Sequence, residues 1–214
     1  MDGNGRSFAY FSNGEMDMKW IWVRHGETEM NRQGRYLGHL DPPLNEHGRQ
    51  QARNLRAIVQ QWQPTKVYSS DLLRCVQTAE IVGSPLRVET STALRELNFG
   101  TWDGRRYDEL MQTDGPTLTA WIDDPFTLAP PGGETLLKLG KRVDDWVAGM
   151  LAASRSDDVA LVVTHGGPLR WLLSHWLYGD ARRFWEAPGV AHGGGVIIRW
   201  DGQRWGQPQM LEEG

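Results

Sequence analysis

Trp20-Ile21-Trp22-Val23 runs without a break into Arg24-His25-Gly26-Glu27-Thr28. A short, wholly apolar run of this kind suits a strand buried on both faces of a parallel sheet. A basic dipeptide at the carboxyl end of such a strand, followed at once by glycine, stands on the crest where open α/β sheets bind ligands. Arginine offers a fixed fork of donors matched to carboxylate or phosphate oxygens. Histidine is the side chain most easily poised as nucleophile, acid or base near neutral pH. For these residues alone, the plainer alternative is a strand-to-loop turn with two solvated side chains.

The second half of the chain supplies a counterpart. Val159-Ala160-Leu161-Val162-Val163 is another apolar run of strand length, and it ends in Thr164-His165-Gly166-Gly167-Pro168. Leu169, Leu172, Leu173, Trp176 and Leu177 follow at helical spacing. The glycines let backbone N–H groups approach a ligand at a helix N-terminus. Two histidines, each at the end of its own buried strand, predict one shared crevice.

Two further stretches point to the same crest. Lys66-Val67-Tyr68 reads as a strand, Ser69-Ser70-Asp71 as a helix N-cap cluster, and Arg74 then lies about one turn into the helix, able to lean back. Leu94-Arg95-Glu96-Leu97 places a carboxylate among apolar neighbours, a setting that favours a protonated acid. Taken singly, Arg74 reads as a solvated helix residue and Glu96 as an ordinary surface acid.

Between these stretches, strand and helix patterns alternate. Ala52, Leu55, Val59 and Trp62 repeat at helical spacing after Asn45; Leu86-Arg87-Val88 reads as a short strand. Leu136, Leu139, Val143, Val147, Met150 and Leu151 mark a long amphipathic helix. Gly195 to Trp200 reads as a last strand, with Asp201-Gly202 turning tightly into Gln203-Arg204-Trp205. This alternation predicts an α/β fold: three layers, α/β/α, around a mostly parallel sheet. Residues 103–133, with Pro116, Pro125, Pro130 and Pro131, break the rhythm and read as a small helical insertion lying like a lid over the site. Residues 18–214 then form one domain, and 1–17 a flexible extension with Met16 or Met18 as a plausible native start.

Composition narrows the class. A chain of 214 residues supports one sizeable core. A net charge of −4 argues against general nucleic-acid binding. The single cysteine, Cys75, forms no internal disulfide and reads as a buried filler, which fits a cytoplasmic protein. No stretch approaches the roughly 18 apolar residues of a membrane span. The expected partner is a small molecule, and monomer and homodimer both stay open.

Several spacings together are specific: Arg24-His25-Gly26-Glu27-Thr28 with Asn31, Gly34-Arg35-Tyr36-Leu37-Gly38, Pro43-Leu44-Asn45-Glu46-His47-Gly48, and Ser69-Ser70-Asp71-Leu72 with Arg74 and Gln77-Thr78-Ala79. Leu94-Arg95-Glu96 with Phe99-Gly100, Gly132-Gly133-Glu134-Thr135 and Val163-Thr164-His165-Gly166 continue the pattern. From about Trp20 to Trp200 the chain resembles the histidine phosphatase superfamily, which also contains the cofactor-dependent phosphoglycerate mutases. The resemblance implies a metal-independent phosphomonoesterase without cofactor. His25 would form a phosphohistidine, while Arg24 and Arg74 neutralise the phosphoryl oxygens. His165 would bind the transition state, and Glu96 would protonate the leaving oxygen and later activate water. Asn31 would add a donor, with Thr28, Gly166 and His192 lining the site; for His192 a capping role is an equal alternative.

Two other classes are weighed against this. His25, His165 and Glu96 as zinc ligands would need three close groups and no nearby cation, and arginines accompany both histidines. A decayed, non-catalytic site would lack one of His25, Arg74, His165 or Glu96, and all are present. Within the superfamily, a mutase would want extra basic residues in the insertion. Arg105 and Arg106 open it, but no lysine or arginine occurs from Tyr107 to Leu137. That favours a phosphatase with neutral leaving groups, unless those two arginines turn inward. Gly38-His39-Leu40-Asp41-Pro42-Pro43-Leu44, Phe99-Gly100-Thr101-Trp102-Asp103-Gly104 and Pro130-Pro131-Gly132-Gly133-Glu134 look like the α-ribazole phosphatase branch of cobalamin biosynthesis. Broad-specificity sugar or nucleotide phosphatases and mutase-like phosphotransferases are the alternatives. Trp102, Tyr107, Trp121 and Phe126 either stack on a base-like leaving group or pack; Trp121, at helical spacing from Leu118, reads as core.

Overall fold

A computed structural model describes residues 17–156 and 158–211, so the expected N-terminal extension, Asp17 apart, lies outside the described residues. The first half runs β1 (Met18–Arg24), α1 (Glu29–Arg32), α2 (Glu46–Gln60), β2 (Lys66–Ser70), α3 (Leu73–Gly83) and β3 (Val88–Ser91). The second runs α4 (Tyr107–Asp123), α5 (Leu136–Ala153), β4 (Val159–Thr164), α6 (Gly166–Tyr178), β5 (Gly195–Trp200) and β6 (Gln209–Met210).

These strands make one sheet in the order β3-β2-β4-β1-β5-β6. β3, β2, β4 and β1 are mutually parallel; β5 and β6 close one edge antiparallel. The apolar runs are central because both their faces are covered. Side chains alternate across a strand, so Trp20 and Trp22 of β1 pack with Val143 of α5 and Leu169 of α6. Ile21 and Val23 face the other way, onto Leu55 and Val59 of α2 and Ala79 of α3. Each fully buried side chain of this size contributes about 1.5–3 kcal/mol. Trp20 and Trp22 stack at 5.8 Å, and Trp146 meets them edge-on at 6.1 and 6.0 Å. The three-layer α/β/α expectation holds.

Local details differ from the sequence reading. β3 begins at Val88 rather than Leu86, because the Leu86 N–H closes the turn after α3 by donating to Gly83 O. Asp201-Gly202 does turn the chain, with the Asp201 carboxylate accepting from Gln203 N and Arg204 N at 2.9 Å. Trp205 then makes only an isolated bridge to Trp200, and the strand pairing with β5 is β6, further on. The insertion is helical as read: α4 kinks at Asp114, two residues before Pro116, whose missing N–H and ring clash interrupt the helix.

Candidate active site

Register builds the crest. β1 and β4 pair with Arg24 opposite Thr164, and the His25 N–H donates to Thr164 O at 3.0 Å. The next residue of each strand, His25 and His165, therefore stand side by side with ring centroids 5.0 Å apart. β2, on the other flank of β4, brings Ser70 to the same edge.

His25 is locked in one tautomer. Its Nδ1–H donates to Gly26 O at 2.7 Å, and its Nε2 accepts from Arg74 Nε at 3.3 Å. Burial, and then the Arg74 charge, hold this histidine well below its ordinary pKa, so the ring is neutral with its Nε2 lone pair turned into the site. Gly26 is required by close packing: a Cβ there would lie 2.3 Å from Gly48 O at the start of α2.

Arg74 is fully buried. Its Nη1 donates to Leu40 O at 2.8 Å and its Nη2 to Gly38 O at 2.7 Å. It is the second residue of α3, earlier than read, because Ser69 and Ser70 belong to β2 and Leu72 is the cap. The expected capping cluster has other uses. Ser70 Oγ lies 2.9 Å from His165 Nε2, and Asp71 pairs with Arg95. Burial and then Arg74 lower the His165 pKa well below the ordinary value too. Cys75 Sγ packs 3.3 Å from His165 Nε2, and burial pushes its thiol far up, as suits an inert filler.

Arg24 donates from Nη1 to Val190 O at 2.9 Å. Glu96 sits across from it, more polar in setting than its leucine neighbours suggest. Its carboxylate accepts from Leu97 N at 2.8 Å and, with both oxygens, from Gly167 N at 3.1 Å. A Cβ on residue 167 would lie 2.2 Å from Glu96 Oε1, so the second glycine of the His165 loop makes room for the carboxylate. Arg142, which the sequence reading passed over, staples the segment from behind. It donates to Ala93 O, Arg95 O and Glu96 O and pairs with Glu134 at 2.7 Å.

The remaining candidates divide. The His192 ring lies 5.3 Å from His25, and burial brings its pKa down to about 4, so it too is neutral. Its buried Nε2 has no protein partner among the described residues. Gly166 borders Arg24. Thr28 is consumed by local structure: it caps α1, its hydroxyl bonding Asn31 N and Asn31 Oδ1. The Asn31 carbonyl end is tied up in the same capping box, which leaves its amide donor as the useful group.

A cavity of about 510 Å³ opens between Arg24, Glu96 and the two glycines. Its outer walls are apolar: Leu97, Phe99, Trp121, Ile122, Phe184 and Trp185. Trp121 is both core, at 5 % exposure, and cavity wall. Trp102 is wholly buried, and neither Tyr107 nor Phe126 reaches the cavity. Arg105 and Arg106 turn away from it, onto Asp114 and onto Asp108 and Glu109. Phe184, Trp185 and Arg170 complete the wall unannounced by the sequence reading. The one available signal was two adjacent aromatics shortly before Pro188-Gly189, in a stretch without periodicity. Among the described residues, no three His, Cys, Asp or Glu side chains are grouped to hold a metal ion, and no helix is long and apolar enough to cross a membrane.

The chain is similar to known phosphatases in sequence and in fold. The adenosylcobalamin/alpha-ribazole phosphatase of Escherichia coli (strain K12) is 33 % identical over 169 residues, 78 % of this chain and 82 % of that one. The glucosyl-3-phosphoglycerate phosphatase of Mycobacterium tuberculosis is 35 % identical over 157 residues, 69 % of this chain and 70 % of its own. Among solved structures, the alpha-ribazole phosphatase from Shigella flexneri superposes with a TM-score of 0.83 at 29 % identity, covering 91 % of this chain and 96 % of that one. The family model of the histidine phosphatase superfamily (branch 1) matches residues 20–210, and the chain belongs to that superfamily.

Proposed function

We propose that this phosphatase is a metal-independent phosphomonoesterase working through a phosphohistidine on His25, and that its substrate is α-ribazole 5′-phosphate. The observation that carries the mechanism is the fixed His25 tautomer: Nδ1–H tied to Gly26 O, Nε2 open beside Arg74. In the first step Nε2 attacks phosphorus, the ester P–O bond breaks, and Glu96 gives its proton to the departing oxygen. In the second, Glu96 takes a proton from water, whose oxygen attacks phosphorus, frees Nε2 and releases inorganic phosphate. Arg24, Arg74 and His165 stabilise the charge on the phosphoryl oxygens, with the Asn31 amide, the Gly166 backbone and His192 Nε2 as further contacts. Once phosphate is held, the Arg74 Nε–H turns from His25 Nε2 to a phosphoryl oxygen.

The substrate reading is supported by the relatives named above and by the aromatic walls, where Phe99, Trp121 and Trp185 offer stacking surface to a flat base. Residues 103–133 then act as the cover of the leaving-group pocket, and the reducing cytoplasm suits the lone thiol.

A hydrolysis panel tests both levels. With α-ribazole 5′-phosphate, sugar phosphates and an aryl phosphate, each with and without chelator, the reading expects chelator-insensitive turnover and the highest kcat/KM for α-ribazole 5′-phosphate. Chelator-abolished activity restored by zinc or magnesium would overturn the mechanism. A sugar phosphate outrunning α-ribazole 5′-phosphate would overturn the substrate alone.

A further inference from the structure

Asp103 opens the insertion, and its carboxylate does not line the cavity. Both its oxygens are spent on one turn of chain. Oδ1 accepts from Gly38 N at 2.7 Å, and Oδ2 accepts from His39 N and Leu40 N at 2.7 and 2.8 Å. The carbonyls of that same turn hold Arg74, Gly38 O accepting from Nη2 at 2.7 Å and Leu40 O from Nη1 at 2.8 Å. The Gly38 C=O and the His39 N–H belong to one planar peptide unit and point opposite ways. A single peptide therefore stands between the Asp103 carboxylate and the Arg74 guanidinium, whose Nε reaches on to His25 Nε2 at 3.3 Å. An ion at each end polarises that peptide and strengthens both of its bonds.

The carboxylate is itself fixed. Trp102 before it is fully buried, the Asp103 N–H donates to Gly100 O at 3.2 Å, and the Gly104 N–H donates to Tyr36 O at 2.8 Å. The turn is equally confined, since a Cβ on Gly38 would lie 2.5 Å from Leu97 O. His39 Nε2–H donates to Glu96 O at 3.1 Å, but the Glu96 carboxylate is held elsewhere, by Leu97 N and Gly167 N. The hold that Asp103 exerts on the turn is thus passed to the site through Arg74.

We propose that Asp103 is a positioning residue for phosphoryl transfer, aiming Arg74 at His25 and at the phosphoryl oxygens through the turn 38–40. The role rests on the phosphomonoesterase reading and adds to it a residue that touches no substrate. Arg74 is fully buried, and its bonds among the described residues run to two carbonyls and a histidine. Carbonyls on an unsupported turn would let that cation drift, whereas three N–H bonds to one carboxylate leave the turn a single position.

A double-mutant cycle with Arg74→Lys tests this. Asp103→Asn keeps the shape but turns an NH₂ group toward N–H donors, so kcat on an aryl phosphate should fall about 10- to 100-fold, the range of one charge-assisted bond. In the Arg74→Lys background the same substitution should cost less than about 3-fold, because the group it aims is already gone. Inhibition by orthovanadate, which takes five ligands like phosphorus in flight, should weaken in Asp103→Asn by a larger factor than inhibition by inorganic phosphate. Should the asparagine variant fail to fold, Asp103→Glu, which keeps the charge and moves it by one methylene, closes the same cycle. Equal losses in the two backgrounds, or equal weakening of the two inhibitors, would reduce Asp103 to a structural residue and overturn the role. A wild type that turns over no aryl phosphate would instead sink the phosphomonoesterase reading beneath it.

Discussion

Arg74 Nε stands 3.3 Å from His25 Nε2, and this buried contact joins a cation to the lone pair that the proposed chemistry uses. Burial first, and then this guanidinium, hold the His25 pKa well below its ordinary value. The carbonyls of Gly38 and Leu40 anchor the two Nη groups of Arg74.

Arg74→Lys should therefore damage activity far more than stability. A lysine keeps the charge but cannot serve two carbonyls and the phosphoryl group together. The loss in kcat should be about 10²- to 10³-fold, the usual cost of one preorganised donor. Steady-state kinetics beside thermal melts check this. A variant with near-normal kcat would show that Arg74 is only structural.

Glu96→Gln keeps shape but carries no transferable proton. Alkyl phosphates should slow by about 10²- to 10⁴-fold, while aryl phosphates, with good leaving groups, lose far less in the first step. Gly167→Ala should give a milder version of the same pattern, because its Cβ would displace the Glu96 carboxylate. Comparing phosphoenzyme formation on the two ester types reads the effect directly. Equal loss on both would mean that Glu96 binds rather than donates.

Much of this arrangement was legible in the sequence, for a physical reason. Buried parallel strands announce themselves as apolar runs, and residues just beyond their carboxyl ends must share one edge. His25, His165 and the Ser70 region were placed on that logic alone, and Arg74 followed once α3 had to start at the same edge. What stayed hidden depended on side-chain direction or on irregular chain. Thr28 was read as lining, yet a four-residue helix needed its hydroxyl as a cap. Arg142 sits on a helix face like any exposed arginine, and only the fold turns it onto the carbonyls of Ala93, Arg95 and Glu96. The segment from Gly179 to Gly194 has no periodicity to read, so Phe184 and Trp185 emerged only when its path over α6 was seen.

Acid should destabilise the protein through its buried histidines. His25, His165 and His192 all have lowered pKa values in the folded state, His192 at about 4. Between the unfolded value near 6.5 and the folded values, the unfolded chain binds more protons, so stability rises with pH across that window. As pH falls from 7 towards 5, each of these histidines adds a loss whose slope approaches about 1.4 kcal/mol per pH unit. Urea unfolding measured at several pH values should show this, with a shallower slope in His192→Asn. A flat profile over pH 7 to 5 would contradict the neutral, buried assignment.

The central claim is covalent catalysis at His25, and trapping the intermediate tests it most directly. Enzyme mixed with a phosphomonoester labelled in its phosphoryl group and quenched within one turnover should carry about one acid-labile, base-stable phosphate per chain, located on His25 by peptide mapping. His25→Ala should carry none. An adduct on another residue, or burst-free turnover with no labelled protein at any quench time while substrate is still consumed, would contradict the account.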